Sequence, residues 1–478
     1  MPHVDPGRPA KPSRSFQPTG GETETRIGPL GLNPQGLPDQ AAIDSLYAER
    51  DFQRACQAYL WALPIVAYGQ WQNQHETVFG AGDGDIVKYV SVRDKLGLIT
   101  ANATTPYVLG FANTARTGPL IVEVPAGEIA GGCGDFWEHS VCDFGLTGPD
   151  KGKGGRFLLL GPGQEPPAGV KFDYEARLPT FNVFHAFRIL TTDAAEGARI
   201  LKAYQVYPAK DAASPPTTRV VTPDGRPWSG TQPKGMAYWE RLNEYLQIEP
   251  VKEEDRLFMA MLKPLGIEKS KPFKPNAAQT RALSDGAEIG QLMAMANSFD
   301  KRFETARYGG HWDRAVNVSM SQQAAFYSQL DERASWFYEA VGLSEGMTTH
   351  TAGQGQVYLS AYRDANAQWF DGGKTYRLHV PPNVPAGQWW SVALYDLETR
   401  CFMDTKYDKV ELGSRSDIVT NADGSVDFVF APAPPKTSPE SNWIPTVPGR
   451  AWFTYFRLYA PLQPYFDASW KLPDIVAD

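Results

Sequence analysis

The chain is short of nearly every feature that assigns a protein at sight. Only four cysteines occur in 478 residues, Cys56, Cys133, Cys142 and Cys401. They form neither a CxxC metal pattern nor a disulfide framework. Cys133 and Cys142 are spaced to pair across a hairpin in an oxidising compartment, although free buried cysteine is the commoner outcome. The seven histidines include no HExxH or HxH arrangement, so no zinc site is signalled and no metal or other cofactor is expected. Long apolar runs are missing too. The best of them, Tyr59 to Tyr68, is interrupted by Pro64 and falls far short of the roughly 20 residues that span a bilayer. No membrane span is expected. Residues 1–37 lack the apolar region of a signal peptide. As numbered this predicts a cytoplasmic protein, and an extracytoplasmic one if a leader was removed upstream. Basic residues are outnumbered, 46 Lys and Arg against 54 Asp and Glu. The net charge of −8 leaves no footprint for nucleic acid.

What the chain does have is Gly (44), Pro (39) and an aromatic fraction of 12%. That mixture suits short strands between tight turns, because aromatics fill half-buried pleated faces and Gly and Pro set turn dihedrals. The length exceeds what one core usually serves. Residues 1–37 read as a flexible arm. Asp39 to Leu63 has helical spacing, with Asp39 as N-cap and Pro64 as the expected stop. A strand signature runs from about Ile86 to Leu190, clearest at Leu120–Val124 and Phe157–Leu160. Helical patterns follow at Asp193–Tyr204, with Asp193 as N-cap, and at Met236–Leu246, Glu253–Leu262, Ala277–Arg302 and Gln322–Val341. Strands resume from Val357 to Tyr459.

The second strand-rich segment echoes the first. Ile121-Val-Glu-Val-Pro125 answers to Arg377-Leu-His-Val-Pro381, and Phe184-His-Ala-Phe-Arg188 answers to Phe453-Thr-Tyr-Phe-Arg457. Between them, Phe136-Trp137 followed by Asp143 answers to Trp389-Trp390 followed by Asp396. Three anchors in one order predict a duplicated design. The expected fold is α+β: two related antiparallel β-sandwich, jelly-roll-like domains joined by a mainly helical segment. The boundaries are an arm at 1–37, a helix plus first sandwich at 38–192, a helical connection at 193–345, and a second sandwich with C-terminal tail at 346–478.

Residues present in both copies are expected to maintain the fold, and polar residues peculiar to one copy are better candidates for chemistry. Asp143 with Arg188, and Asp396 with Arg457, fall in the first class. A charge set among aromatics must be paired to be buried, so both are predicted to be structural ion pairs. His139 and His185 belong to the second class. Histidine is the usual acid–base residue at neutral pH. His139 is expected on one strand face with Trp137, Val141 and Asp143, and His185 on the late strand. Together with Asp143 they would make a titratable cluster, against the alternative of two hydrogen-bonded core histidines. No GxSxG elbow occurs. The Gly148-Pro-Asp-Lys-Gly-Lys-Gly-Gly155 run lacks a P-loop ending and reads as a hairpin turn. Asn102-Ala-Thr-Thr-Pro-Tyr107 reads as the lip of a pocket. Among the tryptophans that could fill a core or line a cleft, Trp443 is the pocket candidate because its loop is polar.

Several of these motifs resemble a bacterial family that joins domain of unknown function 1254 to domain of unknown function 1214. The first is carried by Asn102–Tyr107, Gly118–Pro125 and Gly148–Gly155. The second is carried by Trp390–Asp396, Asn442–Pro445, Arg457–Pro461 and Ser469–Pro473. Many relatives carry an Asp-Thr pair before the Tyr, where this chain has Thr104-Thr105. Many also look exported, which this N-terminus does not support. The resemblance implies β-sandwiches with attached helices and supplies no established reaction.

The functional expectation is a small-molecule enzyme, a cofactor-free hydrolase with its site in the first sandwich near the domain junction. His139 and His185 would exchange protons, Asp143 would orient them, and Asn102 and Tyr107 would position the ligand. The alternative is a non-catalytic binding protein for a sugar or aromatic ligand, using Tyr107 and Trp443. A third reading is a structural protein whose sheet edges pair with partners, and a homo-oligomer is compatible with each.

Overall fold

The computed structural model describes residues 20–478. It opens on a hairpin of β1 (Gly21–Thr25) and β2 (Gly28–Leu32), so the latter part of the expected arm is paired strand. The remainder of that arm, residues 1–19, lies outside the described residues. Asp39 then caps α1 (Gln40–Gln74) by accepting the Ala42 N–H at 2.8 Å. The helix does not stop at Pro64 but carries it inside. Proline in a helix interior costs about 3 kcal/mol. Around it Leu60, Leu63, Ile65, Val66 and Tyr68 are all buried, and each fully buried apolar side chain contributes about 1.5–3 kcal/mol. Packing overrides the local stop signal.

The first strand-rich segment contains β3 (Ile86–Tyr89), β4 (Tyr107–Asn113), the short α2 (Thr114–Thr117), β5 (Leu120–Val124) and β6 (Ile129–Asp135). It continues with β7 (Ser140–Gly145), β8 (Gly155–Leu160), β9 (Tyr174–Arg177) and β10 (Asn182–Ile189). Next comes α3 (Ala194–Ala203), capped by Asp193 as predicted. It leads to β11 (Gln205–Pro208) and β12 (Val220–Val221), which turn back to the same sheets. One sheet has the order β12-β3-β4-β10-β6-β7 and the other β11-β5-β8-β9. Strands of this half therefore extend beyond residue 192. The two sheets share a core in which Val183, Phe187 and Ile189 of β10 meet Leu120, Val122 and Phe157.

After α4 (Met236–Ile248), α5 (Arg256–Leu262) and α6 (Ala277–Phe299), all close to their predicted spans, come β13 (Arg307–Gly309) and β14 (Trp312–Arg314). The helix expected over Gln322–Val341 is the shorter α7 (Leu330–Glu339). Gln322 itself has φ 55°, a left-handed conformation that does not belong to an α-helix. There follow β15 (Gln356–Ala361), β16 (Tyr376–Val380), β17 (Ala386–Asp396), β18 (Glu411–Gly413), β19 (Val426–Ala431), β20 (Trp443–Pro445) and β21 (Trp452–Pro461). The short α8 (Gln463–Phe466) and β22 (Val476–Ala477) close the chain. The sheet orders are β13-β14-β15-β21-β17-β18 and β20-β19-β16-β22. The fold is thus mixed α and β with several sheets, none of them closed. Most pairs are antiparallel, but β12 with β3, β8 with β9, and β19 with β20 are parallel, which the sequence reading did not anticipate.

Two of the three repeat anchors occupy comparable places. Phe184–Arg188 and Phe453–Arg457 lie on β10 and β21, each flanked by strands on both sides within its six-stranded sheet. Leu120–Val124 and Tyr376–Val380 lie in the two four-stranded sheets. The third anchor does not align. Trp389 to Asp396 is one continuous strand, β17, whereas Trp137 and His139 sit in the turn between β6 and β7. The Asp135 carboxylate makes that turn by accepting the N–H groups of Trp137 at 2.9 Å and His139 at 3.0 Å.

The faces of the two six-stranded sheets that point away from their four-stranded partners belong to one central apolar cluster. It contains Leu109 and Phe111 from β4, Tyr395 from β17, Phe453 and Tyr455 from β21, and much of α1, α4, α6 and α7. No helix among the described residues is long and apolar enough to cross a membrane.

Candidate functional site

Along β10 the odd residues Val183, Phe187 and Ile189 face the core of their own half, while Phe184 and Ala186 face the centre of the molecule. The strand period of two therefore sends Arg188 to the centre and His185 to the core. On β21 the even residues Trp452, Phe456 and Leu458 enter their half's core, and Phe453 and Tyr455 face the centre with Arg457. The two arginines thus converge on one cavity of about 760 Å³, lined by both halves of the chain. Its volume has a local origin. On β6 the residues alternating with core-facing Ile129 and Cys133 are Ala130, Gly132 and Gly134, so no bulky side chain fills the space.

Arg188 makes one protein hydrogen bond, from Nη2 to Gln356 Oε1 at 2.7 Å across the junction. Arg457, 3% exposed, donates from Nη2 to the carbonyls of Thr100 at 2.6 Å and Ala101 at 3.3 Å, and its Nη1 has no partner. Neither forms an ion pair among the described residues, which corrects both predicted pairs. Asp396 lies opposite Trp452, far along the ladder from Arg457, and pairs with Arg450 at 2.6 Å. Asp143 is on the edge strand β7 and accepts from Ser140 Oγ at 3.1 Å and Thr147 Oγ1 at 2.8 Å. Burial raises its carboxyl above the usual range.

Aromatic rings surround the arginines. Trp389 stacks on Tyr459 with centroids 4.0 Å apart, and the Arg188 guanidinium lies 5.8 Å from the Tyr459 ring. Arg457 lies 5.7 Å from the ring of Tyr358. The Asn102–Tyr107 lip is where the sequence placed it. Tyr107 Oη accepts from Asn102 N at 3.0 Å and Asn102 Nδ2 at 2.9 Å, and both residues line the cavity. Behind them the enclosed Lys95 donates to the carbonyls of Asn102 and Thr105, and burial pulls its ammonium down to about 8.

The predicted histidine cluster does not form. His139 lines the cavity, with Nδ1 3.0 Å from Asp135 Oδ2. Burial would raise the Asp135 carboxyl, but His139 and Lys252 outweigh it and hold it down at about 2. His185 is on the opposite face of β10, enclosed, with Nδ1 3.0 Å from Tyr204 Oη and Nε2 unpartnered. Burial lowers it to about 4. Asp143 therefore orients neither ring. Trp443 is also displaced from the site. It packs with Val429 and Ala431, and its Nε1 donates to the Ala431 carbonyl at 2.8 Å. The 148–155 run links β7 of one sheet to β8 of the other, so it is not a hairpin; Asp150 holds it through the N–H groups of Gly145 and Gly154.

Glu138 was not singled out by its sequence. It has φ 61°, is 1% exposed and lines the cavity beside His139. Its Oε2 accepts the Gly342 N–H and its Oε1 has no partner. Burial raises its carboxyl well above the ordinary value, more than Gly342 and Arg333 lower it. A strained, buried acid at a cavity wall is the kind of group that functional sites retain. Gln356 and Tyr358 were missed as well, although the alternation of β15 against core-facing Val357, Leu359 and Ala361 marks them. Among the described residues no group of three or more His, Cys, Asp or Glu side chains is placed to hold a metal ion.

Comparison with known proteins finds related domains and structures without giving an activity. The VPA0106 protein from Vibrio parahaemolyticus is similar in structure, with a TM-score of 0.56 and 17% identity over 90% of this chain and 100% of that one. A second structure, of an uncharacterised protein from Burkholderia cenocepacia, has a TM-score of 0.41 and 12% identity over 92% and 97%. No curated protein matches the chain. Residues 87–208, which run from β3 to β11, match the family Protein of unknown function (DUF1254). Residues 355–463, which span β15 to β21, match Protein of unknown function (DUF1214). The chain therefore carries two domains of unknown function in a single polypeptide, DUF1254 at its N-terminal side and DUF1214 at its C-terminal side.

Proposed function

We propose that the protein binds a small organic molecule in the junction cavity. One observation carries this reading: a single space of about 760 Å³ receives Tyr107, His139 and Arg188 from the DUF1254 side and Tyr358, Trp389 and Arg457 from the DUF1214 side. That volume is in the range of small-molecule sites, and so is its mixture of aromatic walls with a few convergent polar groups. The same reading takes the two halves as related, jelly-roll-like sandwiches whose facing sheets make the site together. Ala186 lies on the cavity face of β10, so Ala186→Phe should fill part of the space. Thermal-shift and calorimetric screening of a broad compound panel should give hits that the native protein binds and this folded variant does not. Hits that bind both alike would place the site elsewhere.

A hydrolase is the second reading, and Glu138 favours it. With His185 enclosed on the far face of β10, the acid–base partners would be the buried Glu138 carboxyl and His139, oriented by Asp135. A screen of ester, amide and glycoside substrates should then show turnover that Glu138→Gln and His139→Ala each reduce by about 10²–10⁴-fold. Turnover unaffected by both variants would remove the hydrolase reading while leaving the binding site intact.

A further inference from the structure

Taking the junction cavity as a ligand site, we propose that its ligand is an organic oxyanion on a flat aromatic body, gripped by Arg188 and Arg457. Guanidinium groups stay charged in proteins, so both residues are permanent cations. Burying such a charge without a counter-ion costs several kcal/mol, and proteins ordinarily supply a carboxylate. Here no carboxylate pairs directly with either arginine among the described residues, and Glu411 acts on Arg457 only at longer range. Arg188 has one protein acceptor, the neutral Gln356 side chain, and Arg457 has only backbone carbonyls with Nη1 left over.

The nearby acids are otherwise engaged. Glu411 is committed to Ala103 N and Thr104 Oγ1. Glu138 holds Gly342 through Oε2 alone, and burial favours its neutral form, so it supplies no fixed counter-charge. Glu345 is exposed at the rim, and so is Lys151. Tyrosine rings flank both guanidiniums, Tyr459 beside Arg188 and Tyr358, Tyr395 and Tyr455 beside Arg457. Two cations held together in a low-dielectric space repel each other until an anion lies between them. The forked donor geometry of arginine matches the paired oxygens of a carboxylate or phosphate. Trp389 is covered by Tyr459 on one face and by the Arg415 guanidinium, 3.7 Å from its ring, on the other, so Tyr459 and Tyr358 supply the flat apolar wall for the rest of the ligand.

The test uses three probes of one shape: 2-naphthoate, 2-naphthyl phosphate and the neutral 2-naphthamide, titrated into the full chain by calorimetry. The native protein is expected to bind at least one of the two anions about tenfold or more tighter than the amide, and the preferred anion identifies the head group. Arg188→Met should weaken that anion by about tenfold to a hundredfold and leave the amide within about threefold. Arg188→Lys, which keeps the charge but not the fork, should recover part of the loss. If the anions and the amide bind alike and Arg188→Met changes neither, while Ala186→Phe still abolishes all three, the oxyanion grip is wrong and the cavity reading stands. If no probe binds, or Ala186→Phe leaves binding unchanged, the cavity reading falls and the grip with it.

Discussion

Glu138 Oε2 accepts the backbone N–H of Gly342 at 2.5 Å, tying the turn after β6 to the segment that follows α7. The acid is held raised by burial, so its sign with pH is fixed. A carboxyl whose folded pKa exceeds its unfolded value contributes stability that is full below the unfolded pKa, about 4.3, and is lost as pH rises toward the folded one. Glu138→Gln keeps the acceptor for Gly342 and cannot ionise. Urea unfolding from pH 5 to pH 9 should show the native protein losing more stability than the variant. Superimposable profiles would mean that Glu138 is already ionised in the folded state.

His75 and His185 give the opposite dependence. His75 Nε2 lies 2.9 Å from Tyr89 Oη, and burial lowers that ring to about 3, as it lowers His185 to about 4. The unfolded chain takes up these protons near 6.5, whereas the folded one resists them. Their neutral forms therefore stabilise the fold fully above about pH 6.5, and that contribution drains away as pH falls toward 4 and then 3. The urea midpoint should drop steeply over this window, and His185→Gln should flatten its upper part. An unchanged slope in the variant would show that His185 is protonated while folded.

The alternation of β10 was open to inspection in the sequence: Val183, Phe187 and Ile189 are apolar, and that alone places Arg188 and His185 on opposite faces. The expected ion pairs are missing because Arg188 and Arg457, though buried, line a cavity to which both halves of the chain contribute. Asn102 and Tyr107 were legible because their turn is local. Helix caps at Asp39 and Asp193 were legible for the same reason. Glu138 was not, because its significance comes from Gly342 and Arg333, some two hundred residues away. Pro64 shows the same limit from the other side: a strong local stop signal yields when the helix on both sides of it is buried.

Cys133 and Cys142 face each other across the β6–β7 ladder as free thiols. Burial raises the first well above its ordinary value and the second to about 11, with Asp143 adding to both. The thiolate is the reactive form, so both should be sluggish toward a disulfide reagent at pH 8. Native protein should label at least about a hundredfold more slowly than urea-unfolded protein. Fast labelling of Cys142, located by peptide mass mapping, would show that its strand edge opens readily.

The contact of α1 with α6 is close enough to be tested with one methyl group. A Cβ added at Gly286 would lie 2.3 Å from the Ala55 Cβ, and one at Gly290 would lie 2.6 Å from the Tyr59 Cβ. Two effects then oppose each other. Glycine in a helix interior costs about 1 kcal/mol relative to alanine, so Gly286→Ala gains about that much from propensity. Overpacking a closed core costs about 1–3 kcal/mol, and here both overlapping atoms are fixed directly to backbone, so neither can rotate away. The overlap should win. Gly286→Ala is expected to lower stability by about 1–2 kcal/mol in urea at unchanged slope. Adding Ala55→Gly removes the opposing methyl and should restore part of that loss, despite placing a glycine in α1. A Gly286→Ala protein more stable than the native one would mean that the two helices sit farther apart, leaving the central core less tightly closed around α1.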